Sequence, residues 1–272
     1  MAIIRQFTGS VKDCLDQFPA WAGIDPEELC PTCGTCGCFI KHGTYQHWAS
    51  DAETDTRIRI QRLRCKACGH THAILPHFLH PYRHYILPLI QTVVQGYLVV
   101  GQSYRQLRQA LAGLPVRGTQ TGQPPRRTLQ RWLRDLAHGA TLLFPALSRA
   151  ILTLDPFTVL PGADQAPDHL QRVRDPTQRE RLIHAWRFLQ AAEQLFALSK
   201  AHQPTLHFAA ADLLAFLLHW LSRLQPVPRL FWDPTFCRRG GTARLHISGG
   251  HACLTKSMSS RNAPRSRYSD TP

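Results

Sequence analysis

Two cysteine pairs, Cys30-Pro31-Thr32-Cys33 and Cys65-Lys66-Ala67-Cys68, carry the residue types and spacing best suited to chemistry in this chain. Each pair sets two thiols on one tight turn, and a tetrahedral metal site takes four soft ligands from two such turns. The knuckles are 31 residues apart, longer than the commonest spacing, and the interval holds candidate strands and turns. The pattern predicts a zinc ribbon with one structural Zn²⁺ held by Cys30, Cys33, Cys65 and Cys68. Competing readings are a redox dithiol and two buried knuckles without metal. Cys36 and Cys38 complicate the set, since either can replace Cys33 or lie beside the metal as a spare thiol. His70 and His72 are also near enough in sequence to enter the shell. The run is similar at its start to an iron–sulfur pattern, but the regular spacing and the closing proline are missing.

The ribbon's own strands must bring these cysteines together. Phe39 to Trp48 is rich in β-branched and aromatic residues and reads as one strand with a kink at Gly43. Arg57 to Arg64 alternates polar and aliphatic residues up to Gln61 and then shifts phase, as a half-buried strand with a bulge does, and it delivers Cys65 to the metal. Its arginines, Arg57, Arg59, Arg62 and Arg64, are read as lying on one exposed face, either solvated or in contact with phosphate. Residues 1–27 read as a leader with a turn near Gly23 to Pro26, and Cys14 as a lone structural or exposed thiol.

A net charge of +14 and a pI near 9.9 point to a polyanionic partner. The charge is unevenly placed. Lys and Arg number 13 against 4 acids over residues 51–138 and 8 against 2 over 226–272, but 3 against 5 over 1–50 and 8 against 7 over 139–225. Seven of the nine cysteines precede residue 70, which suits a metal site in a reducing cytoplasm better than a disulfide framework. The first 18 residues contain Arg5, Lys12, Asp13 and Asp16 and do not read as a secretion signal. The most apolar run, Leu206 to Leu221, is broken by His207, Asp212 and His219 and is shorter than the roughly 20 residues a bilayer requires. A membrane protein is therefore not expected.

Beyond an extended link over 73–83, the periodicity turns helical. A helix fits His84 to Val100, regular from about Leu87 because of Pro88, and Ser103-Tyr104-Arg105-Gln106 matches a capping box that starts a second. After a Gly/Pro-rich connection, Leu129, Trp132, Leu133 and Leu136 form an apolar stripe, opposite Arg126, Arg127, Gln130, Arg131 and Arg134. That is the layout of a recognition helix, with an apolar back for packing and a cationic front for the major groove. The join from Gly113 to Pro125 is long for a helix-turn-helix, so either the motif holds an inserted loop or the helices belong to a looser domain. Further helices are predicted at Leu142 to Leu154, interrupted by Pro145, at Gln178 to Lys200, and at about Phe208 to Leu224, the last two as a hairpin able to form a core or a homodimer surface. The tail, 226–272, reads as basic and disordered. Cys237, His246, His251 and Cys253 within it match no trusted metal pattern.

Together these segments resemble the N-terminal part of bacterial insertion-sequence transposases, in which a zinc ribbon precedes a helix-turn-helix. They look closer still to an uncharacterised bacterial group that carries this part alone. The residues that carry the resemblance are Cys30-Pro31-x-Cys33, His42-Gly43-x-Tyr45, Arg62-x-Arg64-Cys65-x-x-Cys68-Gly69, Leu75-Pro76, Pro81-Tyr82-Arg83, Ser103-Tyr104-Arg105 and Arg126-Arg127-Thr128. The resemblance covers about residues 28–138 and implies zinc on the four cysteines and DNA at the second helix. Active transposases of this type hold two metal ions on a carboxylate triad. Residues 139–272 offer no strand series for one, and Asp155, Asp164, Asp168, Asp175 and Asp233 read as mostly loop or tail positions.

The expected fold is mainly α with a small N-terminal β zinc ribbon (28–75), a helix-turn-helix-like domain (82–138), a helical hairpin or bundle (139–225) and the tail. The expected function is a cytoplasmic DNA-binding regulator or accessory factor without its own catalysis. A zinc-ribbon adaptor docking on another protein is the alternative, and a metal-dependent nuclease ranks below both.

Overall fold

The computed structural model describes residues 2–7, 9–51, 55–81, 83–112, 124–204, 206, 208–209 and 212–223. The expected tail with its Cys237, His246, His251 and Cys253, and most of the Gly/Pro-rich connection, lie outside the described residues.

A four-stranded sheet of order β1-β4-β3-β2 precedes the helices. β2 (Phe39–Ser50) and β3 (Asp55–Cys65) pair antiparallel, β4 (Thr71–Pro76) runs antiparallel to β3, and β1 (Ala2–Arg5) pairs parallel with β4, Ile3 opposite Ile74. Residues read from the sequence as a leader are therefore an edge strand of the ribbon sheet. They continue into α1 (Val11–Asp16), whose capping box joins the Ser10 hydroxyl to the Asp13 amide and the Asp13 carboxylate to the Ser10 amide. β4 replaces part of the expected link. Four- and six-residue strands are too short to show a period, and their pairing partners are remote in sequence.

The sheet buries different halves of its two faces. Ile4, Ile58, Ile60 and Leu75 pack with Phe7, Val11, Cys14 and Phe78 on one side, whereas Ile3, Leu63, Cys65 and Ile74 pack with Cys30, Cys38 and Phe39 on the other. The phase shift at Gln61 is this change of buried face, and β3 itself carries no bulge. The extra residue sits in β2, between Lys41 and Thr44, where Gly43 adopts φ +97°. Gln61 is buried because its side-chain amide donates to the Gly43 carbonyl at 2.8 Å. Cys14, fully buried in the first cluster, is structural, and burial pushes its thiol up to about 12.

Residues 77–81 and 83–86 fold back onto the sheet. The Ser50 amide donates to the His84 carbonyl at 2.7 Å, Ile86 to the Ser50 carbonyl at 3.1 Å, and Leu87 to the Phe78 carbonyl at 2.8 Å. This sets the direction of α2 (Leu87–Leu98), which has proline in its first turn as expected. α3 (Tyr104–Ala110) starts on the predicted Ser103/Gln106 capping box. α4 is one continuous helix, Arg126–Leu154, running across the expected domain boundary at 138/139, where the sequence suggested a helix to Leu136 and a separate one at Leu142 to Leu154 interrupted by Pro145. Pro145 is exposed, as is Thr141, whose carbonyl loses a donor, so water can serve that group and the helix runs on. α5 (Asp168–Gln171) is a single turn, α6 (Pro176–His202) is capped by Asp175, and α7 spans Leu213–Arg223.

The expected α6–α7 hairpin is not the main pairing. α6 lies chiefly along α4, its match in length, and α7 packs on α2, α6 and β1 together, with the Gln91 side chain of α2 accepting from the Leu214 amide at 3.0 Å. Leu129, Trp132, Leu133, Trp186, Leu189, Leu195, Leu213, Phe216 and Leu217 share one core. By length and composition alone α4 is long and apolar enough to cross a membrane, but its apolar stripe packs into this core. The helix-turn-helix itself is not confirmed: α3 and α4 are joined by residues 111–125 rather than by a turn of about three or four residues.

Candidate metal centre and nucleic-acid interface

The two knuckles have the same backbone. In the first, the Gly34 amide donates to the Cys30 carbonyl at 2.8 Å and the Cys30 amide to the Thr35 carbonyl at 3.0 Å. In the second, Gly69 donates to Cys65 at 2.9 Å and Cys65 to the His70 carbonyl at 2.9 Å. Gly34 and Gly69 sit at φ +72° and +74°, the left-handed region in which glycine is favoured. The backbone turn thereby aims the second cysteine of each pair back beside the first. β3 delivers Cys65 directly, and the Lys66 amide donates to the Cys38 carbonyl at 2.7 Å, locking the second knuckle against the strand start of β2.

The four predicted sulfurs come together. Cys30, Cys33, Cys65 and Cys68 place their Sγ atoms within 4.8 Å of one another, and among the described residues they are the group able to hold a metal ion. Across the knuckles, Cys30 to Cys68 and Cys33 to Cys65 each measure 3.7 Å. A metal–sulfur bond of about 2.3 Å in tetrahedral geometry separates sulfurs by about 3.8 Å. The donor set and its edges thus fit a tetrathiolate centre. Cys30 and Cys65 are buried, Cys33 is exposed, and Cys68 lies between.

Burial, the largest influence on Cys30, pushes its thiol up to about 12. At Cys65 burial acts in the same direction, but the Cys68 amide and neighbouring thiols outweigh it and bring the group down to about 6. Four thiolates packed this tightly require a cation, which reverses the balance in favour of deprotonated sulfur.

The other candidate ligands fall outside the four. Cys36 is exposed, with its thiol 3.5 Å from the Pro26 carbonyl. Cys38 is buried with Sγ 3.1 Å from that of Cys65, and its thiol too is pushed up to about 12 by burial. His72 presents Nε2 to the Cys30 sulfur at 3.4 Å from a fully enclosed position but is not one of the four clustered donors, which leaves it able to orient Cys30. His70 is exposed and turns to the Cys68 carbonyl.

On α4 the predicted stripes separate as drawn. Leu129, Trp132, Leu133 and Leu136 are buried, with Trp132 edge-on to Tyr85 at 5.0 Å, while Arg126, Arg127, Gln130, Arg131 and Arg134 are all exposed. Asp135, at the edge of the polar stripe, accepts from Arg83 of the link and lies 3.5 Å from Arg134. That pair ties the ribbon's exit segment to α4.

The strand arginines divide. Successive residues of β3 point to opposite faces, so Arg57 and Arg59 lie on one side of the sheet and Arg62 and Arg64 on the other, and the single exposed face read from the sequence does not exist. The Arg57 guanidinium lies over Trp48 at 4.5 Å and donates to Gln46, and that of Arg59 lies 5.6 Å from the Phe18 ring.

Of the acids considered for catalysis, Asp233 lies outside the described residues, Asp164 is exposed in the loop before α5, and three others make local bonds. Asp175 accepts the Thr177 and Gln178 amides, Asp155 accepts from Phe157 and Thr158, and Asp168 pairs with Arg172.

A family model described as a domain of unknown function (DUF6431) matches residues 30–132. The matched span begins at the first knuckle cysteine and ends at Trp132 on α4, so the metal centre and the start of the cationic stripe fall within one match. No curated protein and no solved structure matches the chain.

Proposed function

We propose that this is a DNA-binding protein whose N-terminal sheet is held by one structural zinc ion, a regulator or accessory factor derived from the DNA-binding part of an insertion-sequence transposase and without catalysis of its own. The observation that carries the reading is the start of α4. Five exposed cationic or amide side chains, Arg126, Arg127, Gln130, Arg131 and Arg134, line one side of a helix whose other side is buried by Leu129, Trp132, Leu133 and Leu136. Arginine forks and a glutamine amide are the groups that bond to guanine and adenine edges and to phosphate.

Zinc is the ion that four thiolates at tetrahedral edges favour. When bound it supplies charge and cross-linking. Cys30 and Cys65 anchor it to the buried cluster, Cys33 and Cys68 close it from the solvent side, and His72 orients Cys30. Of the strand arginines, one pair at most can join α4 on a single duplex, because the sheet separates them.

The test is a DNA titration at two salt concentrations, comparing the intact protein with an Arg127→Ala/Arg131→Ala variant and assaying zinc in the same samples. Binding that weakens steeply with salt and is lost in the variant, with about one zinc per chain, supports the reading. Zinc without DNA affinity points instead to a protein-docking adaptor.

A further inference from the structure

Between α3 and the first residue of α4 lies an open cleft of about 390 Å³, lined by Tyr104, Arg105, Arg108, Gln109 and Arg126. Among the described residues that line it, three of five are arginines and none is acidic. Arg105 and Arg108 stand three apart on α3, so they share a face, and Arg126 approaches from the other helix. The Nε of Arg108 is buried and has no hydrogen-bond partner among the described residues. A guanidinium N–H withdrawn from water without an acceptor is costly, and an incoming anion removes that cost.

The walls are stiff. The Arg126 guanidinium lies over the Tyr104 ring at 5.2 Å, and Tyr104 stacks on Tyr97 at 4.9 Å. α4 also begins at this cleft with no side-chain cap and no acid in its first turn; the Thr128 amide is taken by the Pro125 carbonyl, but the positive dipole end stays available to negative charge.

We propose that this cleft is a phosphate-binding pocket that takes a backbone phosphodiester of the DNA strand engaged by α4, an inference that rests on the DNA-binding reading. Paired guanidinium forks match phosphate oxygens bidentately. The pocket opens at the start of the helix whose next residues form the cationic stripe, so a strand crossing that helix end passes over it. Phosphate contacts of this kind fix register while side chains further along the helix read bases. Arg105 and Arg108 thereby acquire a role that their spacing in the sequence did not suggest.

The experiment uses the full chain loaded with zinc. Pyrophosphate binding is measured by calorimetry, and duplex affinity is measured across a salt series, for the intact protein, for Arg108→Gln and for Arg105→Gln/Arg126→Gln. The second variant changes exposed side chains and so covers the case in which Arg108→Gln perturbs folding. The expected result is pyrophosphate binding that competes with DNA, duplex affinity lowered about tenfold in the variants, and a logarithmic salt slope shallower by about 0.9 for each phosphate that the variant no longer neutralises.

Duplex binding with the same affinity and slope in both variants overturns the pocket and leaves the DNA-binding reading standing. Pyrophosphate binding that Arg108→Gln abolishes, in a protein without DNA affinity, overturns the phosphodiester assignment in favour of a free phosphate compound. Failure to bind either ligand overturns both.

Discussion

Gly34 and Gly69 perform the same task in two places, and the metal centre depends on it. Both follow the second cysteine of a knuckle at positive φ, and at Gly69 a Cβ would meet nothing within 4 Å, so the cost of a side chain there is conformational and not steric crowding by neighbours. Gly69→Ala should therefore weaken metal binding by about 1–2 kcal/mol, the cost of left-handed backbone for an L-residue. Gly69→Asn should lose less, since asparagine tolerates that region. Competition against a chromophoric chelator measures both, and equal affinity for the glycine and alanine forms would remove the backbone argument. The four cysteines were legible from spacing because knuckle chemistry is local. His72 was not separable from His70, because its distinction is enclosure against Phe39, a consequence of the pairing of Leu63 with His72. Splitting Arg57 and Arg59 from Arg62 and Arg64 likewise needed the knowledge that the sheet is covered on both sides.

Among the elements, α4 shows which parts of a sequence pattern survive folding. Its two stripes were visible from Leu129, Trp132, Leu133 and Leu136 set against five polar residues, since 3.6-residue periodicity is intrinsic to the helix. Its length was hidden by Pro145, whose penalty depends on whether the orphaned carbonyl faces water, and that is decided by tertiary packing. β1 was hidden because four residues carry too little pattern. The stripes also separate stability from binding. Trp132→Ala removes a buried indole from the face shared with Tyr85 and should destabilise the fold by about 3–5 kcal/mol in urea denaturation. Arg127→Ala, on the exposed side, should stay within about 0.5 kcal/mol of the parent while lowering DNA affinity. A large stability loss from Arg127→Ala would mean that the cationic side is structural and that α4 does not present it to a ligand.

For the molecule as a whole, the question is how far the metal's influence extends. Of the sheet's two buried clusters, one contains Cys30 and Cys65 of the candidate metal site, whereas the one around Ile58, Ile60, Phe7 and Phe78 contains none of its four cysteines. The helical core is larger and, among the described residues, includes no cysteine. Ile86 packs against both the helical core and the sheet cluster around Ile58, and the Arg83–Asp135 pair and the Ser50–Ile86 bond join the same two regions. Removing the ion with a strong chelator should therefore expose the knuckle thiols and loosen the sheet while most of the helical circular dichroism persists. Acidification should act in the same direction, because protons compete with the metal for thiolates: the metal is held above the range in which the ligands take up protons and is released as pH falls through it. Thiol titration and far-ultraviolet dichroism on the same samples distinguish the possibilities. Retained helix with reactive thiols supports a metal whose structural work is confined to the sheet. Collapse of the helical signal on chelation would mean instead that the junction at Ser50, Ile86 and Asp135 transmits the loss into the helical core, and α4 could then hold its cationic face only in the metal-bound protein.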